Sequence, residues 1–156
     1  MNLASNFEEI LCIFSKYKIE FMLAGGYAVN FHGYNLSTGD LDIWVRPVEE
    51  NKNKIMGALK ELDFAPAGIS QVEGIDFTKP FAFKIGLEPI DIDIFNYITG
   101  VKYDDADKNK IPYVYSNKLT VQYISIRDLI VNKMLTGRPQ DKIDVDQLQK
   151  IEKIKK

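Results

Sequence analysis

The chain has 156 residues but only one cysteine, one histidine and almost no net charge. A lone thiol, Cys12, excludes an intrachain disulfide, and it is expected to be a buried apolar side chain. The lone imidazole, His32, reads as a polar residue in a loop or at a helix end rather than as a catalytic base. Twenty basic against 22 acidic side chains give a net charge of −2, a balance that argues against binding to duplex DNA as the main task. No apolar run approaches membrane-spanning length, so no membrane partner is expected. The opening MNLASNFEEI lacks the basic start of a signal peptide, and a cytoplasmic location follows as the expectation. Repeats and low-complexity segments are missing too.

What remains is an ordinary globular composition, 46% hydrophobic and 27% charged, enough for one domain with a proper core. Ser5 and Glu8 form a capping box ahead of a helix to about Lys16. IEFMLA (19–24) reads as a strand. Gly25 and Gly26 break it, and YAVNFHG reads as a short helix closed by Gly33. DLDIWVRP (40–47) is a strand stopped by Pro47, and residues 48–64 form an amphipathic helix with Ile55, Leu59 and Leu62 inward. Residues 65–80, rich in Gly and Pro, read as a loop. FAFKIG and PIDIDIFNY alternate as a hairpin across 86–89. VKYDDADKNK is a short helix or loop, and VYSNKLTVQYIS adds one or two strands. Ser125 and Asp128 cap a helix over IRDLIVNKML that ends at Gly137, and Pro139 opens a last helix. The order predicts a single α/β (α+β) domain over 1–156. Its core, a mixed sheet flanked by helices, covers about 1–124, and a short C-terminal helical segment covers about 125–156.

The chemistry sits in two D-x-D pairs. Side chains alternate along a strand, so Asp40 and Asp42 share one face while Leu41, Ile43 and Val45 face the core. Asp91 and Asp93 repeat the device among Ile90, Ile92 and Ile94. Asp is depleted in strands, and like charges held together raise each other's proton affinity unless a cation intervenes. Hard carboxylate oxygens suit Mg²⁺. Three of them on adjacent strands would hold two ions roughly 3.5–4 Å apart, as in two-metal phosphoryl chemistry. Gly25 and Gly26 let backbone N–H groups approach an anion, and Ser37 and Thr38 add hydroxyl donors. The plainer alternatives are exposed strand faces and turn chemistry.

In order, GGYAVNFHG, STGDLDIWV and PIDIDIF resemble the DNA polymerase β-like nucleotidyltransferase superfamily. ISIRDLIVNKMLTGRPQDKIDVDQL (124–148) is similar to the C-terminal motif of its small stand-alone members, the minimal nucleotidyltransferases and the AbiEii-like and DUF6036-type proteins. The resemblance implies a nucleotidyltransferase-like sheet and transfer of an NMP from a nucleoside triphosphate to an acceptor hydroxyl. It implies Asp40, Asp42 and Asp93 as catalytic ligands of two Mg²⁺ (or Mn²⁺) ions, with Asp91 as the alternative third acid. It places Gly25, Gly26, Ser37 and Thr38 at the nucleotide's phosphates. Related proteins often carry a basic residue just before the Thr-x-Asp-x-Asp run; Asn35-Leu36-Ser37 has none. Lys133, on the apolar stripe of Ile126, Leu129, Ile130 and Met134, is the candidate substitute, joined by Arg138. A pure ion-pair network of these cations with Asp141 and Asp144 stays open beside it. The acceptor implied is a partner toxin-like protein or tRNA, in a toxin–antitoxin setting. Two rival classes remain: a nucleotide- or partner-binding module without turnover, and a metal-dependent nuclease or phosphatase.

Overall fold

In the computed structural model, residues 5–87 and 90–155 are described. The predicted capping side chain of Ser5 and the hairpin turn at 88–89 lie outside the described residues. The chain folds as mixed α/β. Six strands form one sheet: β1 (Phe21–Ala24), β2 (Leu41–Val45), β3 (Ala82–Leu87), β4 (Ile90–Phe95), β5 (Ile111–Ser116) and β6 (Leu119–Tyr123), in the order β3-β4-β2-β1-β6-β5. β1 runs antiparallel to β2 and parallel to β6, and β2 runs parallel to β4. Antiparallel hairpins, β3–β4 and β5–β6, close the two edges. The helices are α1 (Ser5–Lys16), α2 (Gly25–Phe31), α3 (Glu49–Glu61), α4 (Pro66–Glu73), α5 (Tyr103–Asp107), α6 (Ile126–Thr136) and α7 (Pro139–Lys155).

Alternation along the strands explains the layering. Leu41, Ile43 and Val45 are fully buried, as are Ile92 and Ile94 on the neighbouring strand, and all belong to one apolar cluster that runs from Phe7 to Leu148. α1 packs on β6 and α3, and α3 packs on α4; α2 lies against β1 and β2, and α6 packs on both α2 and α7. Asn51, wholly buried, ties the start of α3 to the sheet. Its side chain accepts from the Glu20 N–H at 3.0 Å and donates to the carbonyls of Glu20 and Arg46 at 2.9 and 3.1 Å. A buried amide satisfied this fully fixes the entry of a helix at little cost.

Three sequence expectations change. Residues 66–73 are helical, not loop: Pro66 occupies the first turn, where its missing N–H costs nothing, and Ile69 and Val72, three apart, bury one face. Gly25 and Gly26 do not merely break β1 but form the first turn of α2. On α6, Leu129, Ile130 and Lys133 are buried while Met134 is 58% exposed, so the inward stripe runs through the lysine rather than the methionine. The caps of α6 follow expectation. Ser125 accepts the Asp128 N–H at 3.1 Å, and Gly137, at φ 63°, ends the helix in the left-handed conformation that a residue with a side chain resists.

Candidate active site on the carboxylate strands

Parallel pairing of β2 with β4 sets Asp42 directly beside Asp93. On the other side of β4, antiparallel pairing sets Lys84 of β3 beside Asp93 and Gly86 beside Asp91. On the other side of β2, Asp42 pairs with Ala24, the last residue before Gly25. The sheet therefore brings together both D-x-D pairs and the Gly-Gly turn. The Lys84 ammonium lies 3.4 Å from Asp93 and 3.8 Å from each of Asp40 and Asp91. Asp93 is the acid in register with Asp42; Asp91 lies two residues nearer the start of β4.

Asp42 is the most perturbed of these acids. Burial, the neighbouring charges of Asp93 and Asp40 and a hydrogen bond shared with Asp93 push its carboxyl up to about 7, against a weaker downward pull from Lys133. Burial disfavours the charged form of Asp42 and the neighbouring carboxylates disfavour it further, so this acid keeps its proton to a higher pH than an exposed aspartate does. The same arrangement accounts for Gly25. Its φ is +60°, and a Cβ there would lie 1.8 Å from Asp42 Oδ2. Gly26 is constrained too, though less, since its Cβ would meet Thr38 Oγ1 at 2.5 Å. The two glycines let backbone approach the acid and the threonine hydroxyl where any side chain would collide.

At the Gly-Gly turn opens a cleft of ≈ 790 Å³ with Gly26, Ser37, Lys133, Arg138, Asp141 and Asp144 on its walls. Gly26, Ser37 and the two C-terminal cations, distant in sequence, thus share one cavity. Lys133 is buried, with its ammonium 2.9 Å from Asp144 and 3.4 Å from Asp141. Arg138 donates to both oxygens of Asp141, at 2.8 and 3.2 Å, and Thr136 donates to it at 2.7 Å. Burial pushes the Asp141 carboxyl up, but these bonds and the Lys133 charge outweigh it and hold it well below the usual range. The ion-pair network foreseen among Lys133, Arg138, Asp141 and Asp144 is formed, and it lines the cleft.

Lys84 was missed from sequence. Its one signal, a lysine on the polar face of an alternating strand, gains meaning only once the β3–β4 register is known. His32 sits at the end of α2, buried, with Nε2 2.7 Å from the Ile124 carbonyl oxygen. Burial lowers its pKa, more than that bond raises it. Cys12 is only half-buried, beside the core.

The sequence matches no family model and no curated protein. Among the described residues, no helix is long and apolar enough to cross a membrane. Among the same residues, no three His, Cys, Asp or Glu side chains converge as a ready-made ion cage. In kind, Asp40, Asp42 and Asp93 offer carboxylate oxygens, the donors that a hard divalent cation takes.

Two outcomes follow for stability. Unfolded, Asp42 releases its proton near pH 4; folded, it holds it to about 7. The folded state thus binds the extra proton between those values, and stability falls as pH rises through them, by on the order of 2–4 kcal/mol for this group. Asp42→Asn should therefore raise the melting temperature at pH 8, with a gain that shrinks toward pH 4; a gain independent of pH contradicts the assignment. Lys133→Met leaves Asp141 and Asp144 buried without their shared cation and should cost about 3 kcal/mol in chemical denaturation. An unchanged midpoint and slope would mean the pair carries no net stability.

Proposed function

We propose that this protein is a metal-dependent nucleotidyltransferase of the DNA polymerase β-like superfamily. It moves an NMP from a nucleoside triphosphate to an acceptor hydroxyl and releases pyrophosphate. The observation that supports this reading is the register pair Asp42–Asp93, with Asp42 against Gly25 and the next residue, Gly26, on the wall of the cleft that also holds Ser37, Lys133 and Arg138.

In this reading Asp40, Asp42 and Asp93 hold Mg²⁺ or Mn²⁺. Such ions, when bound, neutralise triphosphate charge and lower the pKa of the attacking hydroxyl. The glycine backbone and the hydroxyls of Ser37 and Thr38 orient the triphosphate. The acceptor oxygen forms a bond to the α-phosphorus, the bond from that phosphorus to the bridging oxygen breaks, and pyrophosphate carries away the electron pair. Asp93 takes the proton of the attacking hydroxyl. Lys133 and Arg138 face the leaving pyrophosphate across the cleft, with part of their charge already balanced by Asp141 and Asp144. The substrate nucleotide points to the cytoplasm as the place of action. The acceptor is a partner protein or tRNA, in keeping with a toxin–antitoxin role.

A second reading, a nucleotide- or partner-binding module without turnover, draws on Lys84. An ammonium within 4 Å of three of the acids supplies the countercharge that an ion would otherwise bring. Incubation with each labelled nucleoside triphosphate, Mg²⁺ and a cell extract separates the two. Transfer predicts label on protein or RNA, and a binding module predicts none. Asp93, in register with Asp42, should matter more than Asp91: Asp93→Ala is expected to lower transfer at least 100-fold, on the scale of losing a positioned acid–base or charge-stabilising group, and Asp91→Ala far less. A larger loss at Asp91 would shift the third ligand by two residues.

A further inference from the structure

On the face that carries the acids, β4 changes character from acidic to aromatic. Asp93 pairs with Lys84, and two residues on Phe95 pairs with Ala82, so alternation keeps Asp93 and Phe95 on one side. From there the surface opens into a groove of ≈ 890 Å³, walled in part by Phe81, Phe95, Tyr97, Asn132, Thr136 and Arg138. Tyr97 is 58% exposed. Phe81 is fixed from behind by Phe77, with ring centroids 4.3 Å apart, and by stacking on Phe83 at 5.7 Å. Asn132 donates to the Thr99 carbonyl at 3.0 Å, which fixes its amide and leaves its carbonyl oxygen as an acceptor. Arg138 belongs to the walls of both this groove and the cleft beside Gly26, so the two cavities share one arginine.

We propose that this groove binds a nucleobase, stacked on Tyr97 beside the reacting phosphate. The inference rests on the nucleotidyl-transfer reading and extends it. Aromatic rings at the wall offer stacking, which every base accepts, while a fixed amide and a threonine hydroxyl offer edge contacts. The arginine that the cavities share suits a phosphate attached to that base. An apolar chain or lipid would need a continuous apolar wall, and Asn132, Thr136 and Arg138 interrupt it. The base has two possible sources with the same chemistry: the nucleoside triphosphate itself, or the terminal nucleotide of a single-stranded acceptor.

The test compares the full-length protein with Tyr97→Ala and Tyr97→Phe by calorimetry in Mg²⁺. The probes are ATP, inorganic tripolyphosphate and a short single-stranded oligoribonucleotide. Tyr97 is exposed, so all three proteins should melt alike. If the base comes from the triphosphate, Tyr97→Ala weakens ATP binding roughly tenfold, leaves tripolyphosphate unchanged, and Tyr97→Phe restores ATP affinity. If it comes from the acceptor, the same pattern appears in oligonucleotide binding and ATP is unaffected. Unchanged affinity for both ATP and the oligonucleotide in Tyr97→Ala overturns the proposal. Failure of the nucleotidyl-transfer reading looks different: the wild type then binds neither ATP nor tripolyphosphate. In that event the oligonucleotide alone decides the groove. Tyr97-dependent binding supports it, and binding that is absent or indifferent to Tyr97 overturns it.

Discussion

Asp42 and Asp93 lie side by side on adjacent parallel strands, and the electrostatic cost of that placement organises the surrounding residues. A sheet fixes the spacing of cross-strand neighbours, so the two carboxylates cannot relax apart. Each partner of the pair answers the same constraint. Asp42 keeps a proton to about 7. Lys84 reaches from β3 toward Asp93, Asp40 and Asp91. At position 25 only glycine fits: the backbone is left-handed, and a Cβ there would collide with the Asp42 carboxylate. A sheet built for stability alone would place a β-branched residue at either position, so the aspartates cost stability, a cost that the proposed chemistry would explain.

The cations around the pair are of two kinds. Lys84 is half-exposed on an edge strand, and a mobile ammonium at high dielectric binds its partners weakly. It is a loosely held countercharge to the three acids around it. Lys133 is buried and locked between Asp141 and Asp144, and Arg138 is joined to Asp141 by two hydrogen bonds. Two positive groups against two negative ones leave the C-terminal segment with little charge to spare. Removing Lys133 from its carboxylates to meet a phosphate would strand buried acids, so the segment acts as a rigid wall of fixed dipoles and charges. Under the proposed nucleotidyl transfer, most of the charge of a triphosphate would then fall to ions held on the strand carboxylates.

Much of this was legible in sequence because it rests on local periodicity. Alternation in DLDIWV and PIDIDIF identified both acidic faces, and Ser125, Gly137 and Pro139 marked the helix boundaries of the C-terminal segment. α4 was not legible, since Gly and Pro in PAGISQVE outweighed the two buried positions Ile69 and Val72 that tertiary packing rewards. The preference for Lys133 over Met134 on the inward face was half-visible: its stripe position was evident, but the carboxylates that stabilise a buried ammonium come from α7. Lys84, the aromatic groove at Phe95 and Tyr97, and the sharing of Arg138 by two cavities were beyond reach. All three arise from strand register and from helix placement over the sheet, neither of which a single sequence states.

The central claim is that the Asp42–Asp93 pair holds uncompensated charge that a divalent cation neutralises. Paramagnetic Mn²⁺, titrated at substoichiometric amounts into isotope-labelled protein, tests this most directly by its distance-dependent broadening of amide resonances. The account predicts selective loss of Gly25, Gly26, Asp40, Leu41, Asp42 and Asp93, with Asn51 and His32 untouched and with Mg²⁺ restoring the signals by competition. Broadening spread over the acidic surface, or none at these residues, would contradict it.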